Sequence, residues 1–221
     1  MKEIELGYGE AEIYFIKKEL ENDASLLTED VQERIDKSVD LLNGYSVMGY
    51  KWADFEPEFF ADKILLKNTA ATFPGKDINK HLSGCDKIYV FAATLGYGID
   101  RIIRSFQVCD LSLSYYIDVL AGLLIEKLCD NVCKKIAENE DGRDITQRFS
   151  CGYGDFPLET QKDILNLLNA EKELGIKLTE SEMMTPTKTV TAVLGAGKAG
   201  SLDRCAICVK KYQCEGNKCR D

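Results

Sequence analysis

Lys87-Ile-Tyr-Val-Phe-Ala-Ala-Thr-Leu95 is a nearly continuous apolar run of strand length, closed by Gly96 and Gly98. It predicts a strand in the middle of the chain. Just after it, Ile99 to Phe106 reads as helical. Leu113, Ile117, Leu120, Leu124, Leu128, Val132 and Ile136 then recur at three- and four-residue steps. That stripe predicts one long helix from Leu111 to Ala137, about 40 Å at 1.5 Å per residue. Further on, Pro157 at a first-turn position opens a helix through Leu168, with Ile164, Leu165 and Leu168 inward. Gly175 fits a helix end, and Thr187 to Leu194 is a β-branched strand. Toward the N-terminus, Val31, Ile35, Val39 and Leu42 mark an amphipathic helix that Gly44 would stop. Lys63 to Thr69 reads as a short strand and Phe73-Pro-Gly as a turn. Strands separated by long helices, without a regular βαβ repeat, predict an α+β fold.

The chain has 221 residues, 45% hydrophobic and 29% charged, an ordinary balance for a soluble globular protein. A net charge of -9 argues against a nucleic-acid surface, which needs a basic stripe to displace counterions. No apolar run reaches membrane-span length, and the first residues lack the charged-then-apolar layout of a signal peptide. A cytoplasmic location without membrane contact is therefore expected. The single histidine, His81, rules out a histidine-rich zinc site, and any histidine base would have to be this one. It reads as the end of a helix, where a cation complements the dipole.

Gly195, Gly197 and Gly200 spell G-x-G-x-x-G after a strand. A dinucleotide site needs a helix, a second strand and an acid beyond it, and too little chain follows. The glycines are expected to form a linker. Beyond them Cys205, Cys208, Cys214 and Cys219 make C-x2-C-x5-C-x4-C, a metal-site pattern. Four cysteinates suit zinc or an iron-sulfur cluster. Either leaves negative charge, which Arg204, Lys210, Lys211, Lys218 and Arg220 answer. The other reading is a disordered tail of reduced thiols. Cys129 and Cys133 on the long helix are expected to pack in the core.

Arg148-Phe-Ser-Cys-Gly-Tyr153 joins a carboxylate-binding fork, a glycine that permits close backbone approach, and a ring that can face a cation. These six residues alone are better read as a turn with a surface arginine. The next thirty-five add Pro157, Leu167-Leu168, Glu171-Lys172, Gly175-x-Lys-Leu-Thr-Glu-Ser181, Met184, Pro186 and Thr189-Val-Thr191. With Phe91-Ala-Ala-Thr-Leu-Gly96 and the long helix upstream, this pattern resembles the activation domain of cobalamin-dependent methionine synthase. The likeness covers most of residues 85 to 194.

The resemblance implies an α+β fold with a mixed or antiparallel sheet against long helices, and a short cysteine-rich tail. It implies residues 1–80 as an N-terminal part of the same domain, 81–196 as an S-adenosylmethionine-binding core, and 197–221 as linker and metal-binding tail. Such domains remethylate cobalamin that has fallen to Co(II), using S-adenosylmethionine and an electron from a flavodoxin- or ferredoxin-like donor. By position, Arg148 would hold the methionine carboxylate, and Ser150 and Cys151 would offer backbone contacts to the adenosyl group. Gly152 and Tyr153 would flank the ligand. Glu126 would lie beside the amine, its other reading being a solvated helix face. An acid of the family falls at Gly142 here, with Asp141 and Asp144 nearby, and a family strand beyond residue 194 is replaced by glycines. With the substrate and cobalamin domains absent, the chain looks like a separate activation subunit working with a corrinoid-carrying methionine synthase subunit. An iron-sulfur tail would suit the electron the reaction needs. The alternatives are a reductive activator of another corrinoid methyltransferase, and a non-catalytic binding or sensor module with structural zinc.

Overall fold

The computed structural model describes residues 4–20 and 22–198, so Cys205, Cys208, Cys214 and Cys219 lie outside the described residues. Helix α1 (Tyr8–Glu19) and a 3-10 turn (Ala24–Leu26) precede α2 (Glu29–Tyr45). The Thr28 hydroxyl caps α2 by accepting from Val31 N at 3.4 Å, and Glu29 and Asp30 in its first turn suit the positive end of the dipole. Ile35, Val39 and Leu42 are buried, as their spacing predicts. Gly44 does not stop this helix. It stands exposed in the last turn with open space around it, where the lack of a side chain costs little, and the helix ends only at Ser46.

Four short strands follow: β1 (Gly49–Phe55), β2 (Pro57–Phe59), β3 (Lys63–Leu66) and β4 (Thr72–Pro74). The last three form an antiparallel sheet, with Glu58 opposite Leu65 and Ile64 opposite Phe73. The predicted strand from Lys63 is cut at Leu66 because the chain turns through Asn68 at φ 63°. Phe73-Pro is a strand rather than a turn. Phe73 is fully buried, and the reversal starts at Gly75.

Helix α3 (Lys76–His81) leads into β5 (Cys85–Thr94), the predicted apolar run, whose residues from Ile88 to Ala93 are essentially solvent-free. Helices α4 (Tyr97–Cys109) and α5 (Leu111–Asn139) come next, and all seven residues of the α5 stripe are buried. The chain then forms β6 (Asp144–Ile145), a 3-10 turn (Leu158–Thr160), α6 (Gln161–Leu167), α7 (Ala170–Leu174), β7 (Lys177–Leu178), β8 (Met184–Thr185) and β9 (Thr189–Gly197). Pro157 precedes the 3-10 turn instead of opening an α-helix, which begins four residues later. Gly175 caps α7 in the left-handed conformation. The larger sheet has the order β1-β5-β9-β6, and β7 pairs with β8. The fold is α+β, with antiparallel pairing in every register given for β2/β3, β3/β4, β6/β9 and β7/β8.

Gly195 and Gly197 belong to β9, not to a linker. A Cβ on Gly195 would collide with the Cys85 sulfur and the Leu82 side chain. Glycine stands there because backbone and core meet closely. The G-x-G-x-x-G spelling therefore begins inside a strand.

The chain gathers into two compact units. Residues up to Lys51, Ala92–Cys133 and Asn169–Val190 form the first; Trp52–Phe91, Lys134–Leu168 and the stretch from Thr191 form the second. In the first, Phe15 stacks on Tyr116 at 4.5 Å and the Arg34 Nη1 lies 3.2 Å from both oxygens of Asp110. In the second, the Glu140 carboxylate is buried and accepts from Lys87 Nζ at 2.5 Å and from the Tyr89 hydroxyl. Among the described residues, no helix is long and apolar enough to cross a membrane.

Candidate functional site

Arg148 to Tyr153 occupy a loop of the second unit that leaves β6 along the edge of β9. Asp144 faces Gly197 and Ile145 faces Ala196; after that the register slips. The next pairing is Phe149 with Val193, exchanging both backbone bonds at 2.8 and 2.9 Å. Thr146, Gln147 and Arg148 thus oppose only Leu194 and Gly195, which is a bulge of one residue. Such bulges bend a strand and re-aim a side chain. Thr146 anchors the start, its N–H donating to Gly195 O and its hydroxyl accepting from Gly195 N, both at 2.9 Å.

His81 holds the bulge from beneath. Its Nε2–H donates to Gln147 O at 2.6 Å, and its ring lies 4.9 Å from the Phe149 ring. The residue is 2% exposed. His81 does end α3, as its sequence position predicts, but as a buried support and not as a solvated cation at the dipole.

After Phe149 the chain makes a compact turn. Tyr153 N donates to Ser150 O at 3.2 Å, Gly152 N to Phe156 O at 2.8 Å and Phe156 N to Tyr153 O at 3.0 Å. Gly152 and Gly154 have φ of 87° and 55°, and a Cβ on Gly154 would strike the Asp77 carboxylate. The far end is tied down by Asp155, whose carboxylate accepts from Asp77 N at 2.9 Å and Lys76 N at 2.7 Å. Those backbone bonds hold the Asp155 carboxyl below its usual range. Phe156 is buried against Phe73, ring centroids 5.5 Å apart.

The turn presents a mixed face. Arg148 is half-buried, with its Nη1 shielded from solvent. Tyr153 is 50% exposed, its ring edge-on to Phe149 at 5.9 Å. Ser150 and Cys151 are half-buried between them. Burial pushes the Cys151 thiol up to about 12, so this sulfur stays protonated and is no nucleophile near neutral pH. Arg148, Ser150, Cys151, Gly152 and Tyr153 are thus brought together in one short loop. Glu126 lies on α5 in the first unit, with an exposed side chain.

Of the acids near Gly142, Asp141 is exposed and Asp144 sits in β6. Glu140 is committed to Lys87, Tyr89 and Arg143, whose Nε is 3.1 Å from its second oxygen. Burial alone would raise the Glu140 pKa; the bonds from Lys87 and Tyr89 outweigh it, and the carboxyl lies below its usual range. Cys129 is fully buried, as expected for core packing, and Cys133 is half-buried. No cluster of three or more histidine, cysteine or acidic side chains able to hold a metal occurs among the described residues. His81, Gln147 and Asp155 were not found as site supports from sequence. Partners 66 and 78 residues apart leave no local signal.

Comparison with known proteins gives the family and the fold. The model of the family described as vitamin B12 dependent methionine synthase, activation domain, matches residues 77–206, more than half of the chain. The chain belongs to that family. Among solved structures, a crystal structure of the MetH reactivation domain bound to AdoHcy is similar, with a TM-score of 0.62 and 19% identity. The likeness covers 88% of this chain and 77% of that one, and at this identity it establishes the fold. No curated protein matches.

Proposed function

We propose that this activation domain binds S-adenosylmethionine at the 148–153 turn and presents its methyl group to a corrinoid carried by a methionine synthase partner. The observation that carries the reading is the bulge-and-turn loop itself. It carries a half-buried arginine and an exposed tyrosine within six residues, inside the stretch matched by the family. Arg148 would take the methionine carboxylate, since a planar fork meets two oxygens at once. Tyr153 would flank the sulfonium, and Ser150, Cys151 and Gly152 would supply backbone contacts to the adenosyl end. Glu126 is proposed for the amine, and residues 81–196 as the binding core.

The chemistry asks little of side-chain acid-base groups. Transfer of a methyl from a sulfonium to reduced cobalt is a displacement whose nucleophile belongs to the partner. The domain supplies alignment, which is consistent with a protein whose one histidine is buried under the loop. A flavodoxin- or ferredoxin-like donor would supply the electron that returns Co(II) to the reactive state. We further propose that Cys205, Cys208, Cys214 and Cys219 bind an iron-sulfur cluster or zinc, because four cysteinates are a complete ligand set for either. An iron-sulfur cluster at this tail would serve electron delivery.

Calorimetric titration of the anaerobically purified chain with S-adenosylmethionine tests the site. Saturable binding to the wild type and its weakening in Arg148→Ala are expected; no binding, or equal binding by both, rejects the site. Iron, sulfide and zinc analysis of the same preparation tests the tail. Stoichiometric zinc without iron would remove its redox role.

A further inference from the structure

We infer that the first unit carries a second ligand site, for a small molecule bearing a phosphate or similar compact dianion, in the hollow beside the N-terminal half of α4. The hollow has a volume of about 320 Å³ and is lined by Tyr97, Asp100, Arg101, Arg104 and Thr185. The four α4 residues are spaced i, i+3, i+4 and i+7, so they form one stripe. The opposite side of the helix buries Ile99, Ile102 and Ile103.

Arginine use in this chain singles out the place. Five arginines fall within the described residues. Arg34 and Arg143 are ion-paired, and Arg148 has partners of its own. Arg101 and Arg104 are exposed and have no hydrogen-bond or ion-pair partner among the described residues. In a chain of net charge -9, two guanidinium groups one turn apart and unanswered by any carboxylate repel each other for no structural return. Asp100 could be expected to neutralise them. It does not, because its oxygens accept from Thr187 N at 3.1 and 3.3 Å and from the Thr187 hydroxyl.

The rest of the lining suits an anion as well. The Tyr97 hydroxyl donates to the Gly175 and Thr185 carbonyl oxygens at 3.3 and 3.4 Å, which leaves the Thr185 hydroxyl as the neutral donor in the lining. The hollow lies beside the first turns of a 13-residue helix, whose dipole favours negative charge there. Two forks match a dianion with several oxygens better than a single carboxylate. The volume exceeds that of a bare phosphate and falls at the lower end of small-molecule pockets, roughly 300 Å³ and above. The exposed Tyr97 ring offers a flat face to the remainder of the ligand.

Titration of the full chain with inorganic pyrophosphate, and in parallel with malonate, tests the assignment. Pyrophosphate should bind the wild type at low ionic strength, roughly tenfold more weakly in Arg101→Ala or Arg104→Ala, and not measurably in the double variant. Both side chains are exposed, so the variants should melt like the wild type. No pyrophosphate binding at millimolar concentration, or binding that the double variant retains, overturns the site. Malonate binding tighter than pyrophosphate overturns the phosphate class.

Discussion

Arg143 precedes the bulge in the second unit and Arg148 stands within it, five residues on, and their surroundings differ. Arg143 is locked from two directions: its Nη2 pairs with Asp86, and its Nε faces the buried Glu140 carboxylate at 3.1 Å. Lys87 and Tyr89 close the same carboxylate from the strand side. That cluster holds elements of the fold together. Arg148, inside the register slip, is half-buried on a loop pinned at both ends that also carries the exposed Tyr153. The difference teaches that the same side chain is a fastener where a buried carboxylate meets it, and a candidate ligand group where the backbone has been bent to re-aim it.

The largest effect is expected on the fastening side. Glu140→Ala leaves Lys87 and Tyr89 without their common acceptor and Arg143 without one of its ion-pair partners, and should cost about 3 kcal/mol of stability. Denaturant unfolding measures it; a loss below about 1 kcal/mol would make the two arginines alike. On the other side, Arg148→Ala should weaken S-adenosylmethionine binding by about 2 kcal/mol, roughly 30-fold, while stability changes by less than half as much. A variant that loses stability and keeps affinity would reverse the assignment.

The parts of this contrast that sequence exposes are the periodic ones. β5 reads as a strand because Ile88 to Ala93 are apolar without interruption, and α5 because its seven-residue stripe keeps step from Leu113 to Ile136 of a 29-residue helix. The family was legible in the pattern around Arg148 and Tyr153. The N-terminal helix α1 was missed: its N-cap Gly7 makes no side-chain hydrogen bond, and only Ala11 and Phe15 are buried in it. Gly44 and Gly195 misled in opposite ways, one as a helix stop and one as a linker. A glycine's role depends on whether space or a neighbour surrounds it, which only packing decides. The bulge left no trace because it exists only relative to β9.

A third variant asks whether the bulge is what separates the arginines. His81→Phe keeps a ring against Phe149 but deletes the donor to Gln147 O. Stability should fall by about 1 kcal/mol, and S-adenosylmethionine affinity severalfold, with His81→Gln restoring part of the affinity through its amide N–H. If His81→Phe loses stability with no change in affinity, His81 supports the fold and not the loop.

The smallest effect comes from the far end of the turn. Asp155 accepts from Asp77 N and Lys76 N, which holds its carboxyl below the usual range in the folded chain. A carboxyl depressed on folding stabilises above its unfolded pKa, and that contribution is lost as pH falls through its folded value. The turn should therefore loosen on the acid side of the ordinary carboxylate range, about 4. Asp155→Asn keeps one acceptor but cannot carry the charge, so its stability should decline less steeply over that window. At neutral pH it should be slightly less stable than the wild type, because the charge no longer meets the two N–H groups at the start of α3. Glu140, whose carboxyl is also depressed, adds to the same acid slope, so the comparison must be made by urea unfolding of both forms at matched pH. Parallel acid slopes for the two proteins would show that Asp155 does not hold the turn by its charge, and the loop that carries Arg148 would then rest on its anchors at Thr146, Gln147, Phe149 and Phe156.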